Sequence, residues 1–226
     1  MRTIEKYLWK DDVMNVVFIS GPHGCGKTAF MEALLEKSEV YIKDSFFLDF
    51  VNDLPAISHM SIFEKCLLRL YHRFYTAQQA NLKCKKNNDN KILLVDRSIY
   101  DSIVYNTVEH NMGTLTEFQY NFLSNIEQKA LEIVNPYTVI LNPDSKKVVN
   151  YLEQRAKRGG REKRNRLCRR EDTLEYISMM HDEYSKIACN TNVLYLEGGL
   201  EENVKETNDV YLKCMEFLEH RKGDRK

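Results

Sequence analysis

The sequence predicts a three-layer α/β/α domain built on a five-stranded parallel sheet, and three observations carry that expectation. Five short apolar, β-branched runs alternate with long helical patterns, as in a parallel sheet covered by helices on both faces. A glycine-rich stretch carrying a lysine follows the first run directly and leads into a helical pattern. The 226 residues contain no repeat and no low-complexity linker, so residues 1–226 suit a single large domain with enough chain to bury a substantial core.

Taken in order, the expected strands are 15–20, 39–43, 91–95, 137–141 and 192–196. The expected helices are 27–37, 61–83, 99–110, 115–134, 145–157, 173–188 and 201–221. Val16-Val17-Phe18-Ile19 and Ile92-Leu93-Leu94-Val95 are continuous apolar runs, the pattern of strands buried on both faces. Residues 83–90 read as a polar loop too short to divide the chain into two domains.

Composition narrows the partners. Lys plus Arg and Asp plus Glu both total 33, so no global field draws the protein to nucleic acid or membrane. The six cysteines include no C-x-x-C pair and no histidine at metal-ligand spacing, which suits reduced thiols. No stretch approaches the length of an apolar membrane span, and Met1 to Lys6 lack the apolar core of a secretory signal. The expectation is a cytoplasmic protein without a membrane partner.

Gly21-Pro22-His23-Gly24-Cys25-Gly26-Lys27-Thr28 is a complete G-x-x-x-x-G-K-S/T phosphate-binding loop. Its glycines let backbone N–H groups turn around phosphates, Lys27 brings a cation to the outer phosphates, and the Thr28 hydroxyl is suited to Mg²⁺. The helix that follows adds the field of its N-terminus. ATP and Mg²⁺ are therefore the expected cofactors. His23 and Cys25 occupy permissive positions of the loop and receive no catalytic role.

Ligands of open α/β sheets bind beyond the carboxyl ends of the strands, so the residues there carry most weight. Asp96 ends the third apolar run, where its carboxylate can hold Mg²⁺ together with Thr28, and Arg97 follows at once to face an acceptor. A salt-bridged pair that merely ends a strand is the alternative. Asp44, after the second run, can take a proton from an attacking hydroxyl or cap a helix starting at Ser45. Asp49 and Asp53 are rivals for the role of base.

From Arg155 to Arg170 there are nine Lys or Arg against one acid, Glu162. Arg155, Arg158 and Arg161, with Gly159 and Gly160 among them, suit a mobile lid over about 155–172 whose guanidinium groups stabilise a transferring phosphoryl group. A solvated helix end and a nucleic-acid contact compete with that reading. The second is weakened because no aromatic residue lies in the segment to stack on bases. Phe63, Leu67 and Leu70 form a core stripe, leaving Glu64 and Arg69 to face a substrate. Tyr100, Tyr105 and Tyr176 suit packing, with each hydroxyl satisfied.

Asp96-Arg97-Ser98-Ile99-Tyr100 resembles the E/D-R-S-x-Y motif of the deoxyribonucleoside kinases. Arg155-x-x-Arg158-Gly159-Gly160-Arg161-Glu162 resembles their arginine lid, and Leu174-Glu175-Tyr176-Ile177 with His181 resembles the helix after it. The motifs occur in family order over most of the chain. The resemblance implies transfer of the γ-phosphate of ATP to the 5′-hydroxyl of a deoxynucleoside, with Mg²⁺ near Asp96, Asp44 as base, Arg97 near the 5′-oxygen, and a homodimer. It implies substrate contacts at Phe63, Glu64 and Tyr100, and a sugar-binding lid carboxylate at Glu162 or Glu171. The chain departs from the family in having Asp44 where a Glu-Pro pair is usual. Glu64 stands where a Gln is usual, and ionised Glu cannot donate as Gln does.

Two other functions compete. Asp96-Arg97 followed by Val104-Tyr105 is also similar to the D-R…A-Y pattern of thymidylate-kinase-like nucleoside monophosphate kinases, although their Arg-Pro-Gly loop after the second strand is absent. An RNA-binding P-loop protein using the basic segment is the third reading.

Overall fold

The structure, a computed structural model, describes residues 16–37, 39, 41–44, 59–86, 92–157, 170–198, 212–214 and 216–217. In chain order the elements are β1 (Val16–Ser20), α1 (Lys27–Lys37), β2 (Tyr41–Asp44), α2 (Ile62–Lys86), β3 (Ile92–Asp96), α3 (Ile99–Asn111), α4 (Glu117–Val134), β4 (Thr138–Leu141), α5 (Ser145–Lys157), α6 (Leu174–Ile187) and β5 (Val193–Leu196). The strands form one parallel sheet in the order β2-β3-β1-β4-β5.

Alternation along the strands sorts their side chains into two cores. Val17 and Ile19 of β1 and Ile92 and Leu94 of β3 join Phe30, Met31 and Leu34 of α1, Val104 and Val108 of α3, and Tyr176, Met180 and Tyr184 of α6. Val16, Phe18, Leu93 and Val95 point the other way, to Cys66 and Leu70 of α2 and Leu123 and Ala130 of α4. A strand buried on both faces reads as a nearly continuous apolar run; every residue of β1 is buried, and only Ser20 at its end is polar.

The helix ends follow from local chemistry. Ser98 and Asp101 make a reciprocal capping box at α3, and Thr116 and Gln119 make another at α4. The second explains why α4 starts at Glu117 rather than at the expected 115. Asp144 accepts from the N–H groups of Lys146 and Lys147 at 2.9 and 3.3 Å and opens α5. α2 runs on to Lys86, past the expected end at 83, because the lysines read as loop are good helix formers. Of the helix expected over 201–221, residues 212–214 and 216–217 are described, and they are helical.

Candidate functional site

The register of the central strands builds the site. Ile19 of β1 lies opposite Asp96 of β3, so the phosphate loop leaves the sheet beside the tip that carries Asp96-Arg97-Ser98. Gly21 has φ +139, and a Cβ there would strike the carbonyl oxygen of Leu141. A larger residue would therefore push the loop off β4. Gly24, at φ +87, packs against the side chain of Leu152 of α5 and is closed to a Cβ in the same way.

Lys27 is 6% exposed. Its ammonium donates to the carbonyls of Gly21 and Pro22 at 2.9 and 2.7 Å and lies 3.7 Å from Cys25 Sγ. Burial lowers the Lys27 pKa and raises that of Cys25, so Cys25 is a neutral packing thiol at neutral pH. Thr28 and Asp96 are exposed at the mouth of the site. Their hydroxyl and carboxylate are the hard oxygen ligands that Mg²⁺ takes. Among the described residues no cluster of three metal-ligating side chains exists.

Arg97 has φ +71, a conformation that bulky residues rarely adopt. Its N–H donates to the Ile19 carbonyl at 2.8 Å, and its guanidinium reaches Asp101 at 3.3 Å and lies 5.9 Å from the centre of the Tyr105 ring. Burial works against its charge, but Tyr105, Asp101 and Asp96 more than compensate and raise its pKa. Asp101 is wholly buried. It accepts from the Ser20 hydroxyl at 2.6 Å, the Ser98 N–H at 2.8 Å and the Tyr184 hydroxyl at 2.9 Å. Burial opposes its ionisation, yet Arg73, Arg97 and Lys27 hold its carboxyl below the usual carboxylate range.

On the other wall, Glu171 accepts from Arg69 at 2.8 Å. Burial would raise its pKa, but Arg69 leads the groups that lower it. The Arg69 and Arg73 guanidinium carbons lie 5.1 and 5.6 Å from the Tyr105 ring centre, and Arg73 donates to the Ser102 hydroxyl at 2.8 Å. Three guanidinium groups thus lie against one tyrosine ring beside the phosphate loop, two of them held by the carboxylates of Asp101 and Glu171.

The other expected site residues are placed as follows. Asp44 closes β2 opposite Val95, instead of following the strand; its side chain lies outside the description, as do Asp49 and Asp53. Arg155 is exposed in the last turn of α5, whereas Arg158, Arg161 and Glu162 lie outside the described residues. Glu64 sits in the first turn of α2, exposed, accepting from the Ser61 N–H and hydroxyl at 2.7 and 2.8 Å. Phe63 packs edge to face on Phe122 at 5.9 Å. Tyr100 is buried in the core, and burial raises its pKa.

Sequence reasoning singled out none of Asp101, Glu109 and Asp172 and gave His23 no role. The signal for Asp101 was present as a Ser-x-x-Asp capping box. Glu109 and Asp172 contact residues far away in the chain, and nothing local marks them.

Loop, sheet order and strand-tip residues together define a P-loop α/β protein. Residues 16–170 match the family described as AAA domain, and the chain belongs to it. Its fold is that of deoxyadenosine kinase from M. mycoides. The structure of that enzyme with the products dCMP and dCDP is similar with a TM-score of 0.63 at 15% identity, over 89% of this chain and 98% of that one. The dATP-bound structure gives 0.61 at 12% identity over 88% and 98%. The dCTP-bound structure gives 0.56 at 15% identity over 89% and 98%. No curated protein shows significant sequence similarity to the chain.

Proposed function

We propose that the protein is a deoxynucleoside kinase that transfers the γ-phosphoryl group of ATP to a 5′-hydroxyl. The observation that carries this reading is the pairing of Ile19 with Asp96, which puts the phosphate loop beside Asp96-Arg97 within a fold shared with deoxyadenosine kinase. The dATP and dCTP bound to those relatives support a deoxynucleoside acceptor.

Phosphoryl transfer asks the protein mainly for positioning and charge stabilisation. The loop N–H groups and Lys27 hold the triphosphate. Charged phosphate oxygens are stronger acceptors than the carbonyls of Gly21 and Pro22 and take the Lys27 ammonium from them. Mg²⁺, held by Thr28 and Asp96, would neutralise part of the phosphate charge. Arg97, aimed from a constrained backbone, orients the acceptor oxygen, and Glu171, fixed by Arg69, meets the sugar. Asp44 takes the proton of the 5′-hydroxyl as the new O–P bond forms and the bond from the γ-phosphorus to the β–γ bridging oxygen breaks, releasing ADP. Arg155, with Arg158 and Arg161 further along its segment, stabilises the charge on the transferring group.

A coupled ADP-release assay with Mg-ATP tests this against the four deoxynucleosides, dTMP and ribonucleosides. Turnover is expected with at least one deoxynucleoside. Turnover with dTMP alone would identify a monophosphate kinase instead, and no turnover with any acceptor would refute both. Asp44→Asn is expected to lower kcat by roughly 10²–10⁴-fold while ATP binding persists; retained activity would remove Asp44 as base.

A further inference from the structure

Three consecutive residues at the end of the basic segment dock on three different parts of the site. Arg170 donates to both carboxylate oxygens of Glu109, the Oε1 contact being 2.6 Å. Glu109 is 1% exposed and also accepts from the Tyr176 hydroxyl at 3.0 Å, so this anchor is tied to both α3 and α6. Glu171 binds Arg69 of α2. Asp172 meets His23 Nε2 at 3.0 Å, and this third contact alone ends inside the phosphate loop.

His23 is buried at 6% exposure. Its Nδ1 lies 2.9 Å from the Tyr105 hydroxyl, and Tyr105 is the ring on which Arg69, Arg73 and Arg97 converge. A carboxylate only accepts, so Nε2 carries the proton toward Asp172. Burial raises the Tyr105 pKa and keeps its hydroxyl protonated, so that hydroxyl pairs with Nδ1 as donor or acceptor. One ring nitrogen thus faces the Asp172 carboxylate and the other the Tyr105 hydroxyl.

We propose that His23 is a positioning residue that couples occupancy of the phosphate loop to the placement of Glu171, through its bond to Asp172. The inference rests on the kinase reading above and deepens it, because Glu171 is the acceptor-side carboxylate. His23 stands between two loop glycines, so any rearrangement of the loop around phosphates acts on the imidazole. Buried between two partners, the imidazole cannot swing freely. Asp172 must follow it or lose its hydrogen bond, and Glu171 is the adjacent residue. Coupling of this kind is reciprocal: an ATP analogue strengthens acceptor binding by the same factor as the acceptor strengthens binding of the analogue.

Two measurements on the full chain test the link. In the first, AMP-PNP with Mg²⁺ is titrated calorimetrically with and without the deoxynucleoside of highest turnover. The expected coupling is roughly tenfold in Kd, falling to nearly none in His23→Ala and in Asp172→Ala. The second variant removes the link from a half-buried turn and leaves the core around His23 filled. Asp172→Asn keeps an acceptor oxygen for Nε2–H and is expected to retain most of the coupling. If His23→Ala and Asp172→Ala bind both ligands with wild-type coupling, His23 is only a packing residue and the proposal falls.

The second measurement needs no acceptor. Hydrogen exchange of residues 170–176 is followed with and without AMP-PNP. Slower exchange is expected in the wild type and not in His23→Ala. That result in a protein that phosphorylates no deoxynucleoside would uphold the link and sink the kinase reading. Unchanged exchange in the wild type, or slowing that survives in both alanine variants, would overturn the link alone.

Discussion

The first turns of α2 and α3 carry the same local device and put it to different use. Ser61 with Glu64 and Ser98 with Asp101 each place a serine at the helix entrance and a carboxylate three residues on, exchanging bonds with one another's backbone. At α2 the carboxylate stays in water, and its hydrogen bonds from Ser61 lower its pKa. At α3 the carboxylate is wholly buried and also binds Ser20 at the end of β1, Arg97 and Tyr184. One box ends a helix; the other joins the helix to the phosphate loop's strand, the strand-tip arginine and α6. Burial with many partners, rather than the motif, sets the importance of the carboxylate.

Asp101→Asn is the sharpest way to break this contrast. It leaves Arg97 and Arg73 beside a neutral amide, and uncoupling a buried charge of this kind costs about 3–5 kcal/mol. For a chain of this size that lowers Tm by roughly 10–15 °C, which thermal unfolding at pH 7 measures. The sign with pH follows from the depressed carboxyl. Its contribution is fully present above the ordinary aspartate range and is lost as pH falls through the lower value in the folded protein. The wild type should therefore lose its advantage over the variant on acidification; an advantage that persisted at low pH would contradict the ion-pair explanation.

Glu127 sharpens the comparison from the other side. It is also buried, but receives its hydrogen bond from the amide of Asn106 at 2.6 Å, and burial pushes its carboxyl up to about 7. A raised carboxyl favours the protonated folded state. Stability from this group is greatest below pH 4.5 and declines as pH rises toward 7, by an amount on the order of 3 kcal/mol. Glu127→Gln should raise Tm at pH 8 by several degrees and flatten the pH dependence between 5 and 7. No gain at pH 8 would mean that the carboxylate is accommodated without strain.

Glu64→Gln should have the smallest effect. Gln still serves a capping box, so Tm should stay within about a degree of the wild type. The acceptor assay gives this variant a second use. An unchanged acceptor preference would assign Glu64 to helix capping alone, whereas a changed preference would mean that it leaves Ser61 to read a base.

The architecture was largely legible because strands buried on both faces leave unbroken apolar runs, as in Val16–Ile19 and Ile92–Val95. The phosphate loop and the acidic end of β3 were legible for the same reason: local spacing and a strand tip define them. The wiring between them was not. Asp101 with Tyr184, Arg170 with Glu109 and His23 with Asp172 join residues 83, 61 and 149 positions apart, and only the folded sheet brings them together. Glu64 was read as facing a substrate because it lies off the apolar stripe of its helix. The structure shows that the same exposure also serves Ser61.

Transfer of labelled phosphate from γ-³²P-ATP, with the four deoxynucleosides present and the products separated, tests the central claim most directly. Label is expected in one or more deoxynucleoside 5′-monophosphates and should disappear with Lys27→Ala. Label appearing only as inorganic phosphate would make the protein a hydrolase on a P-loop fold and would contradict a phosphoryl-transfer site shared by the loop, Arg97 and Glu171.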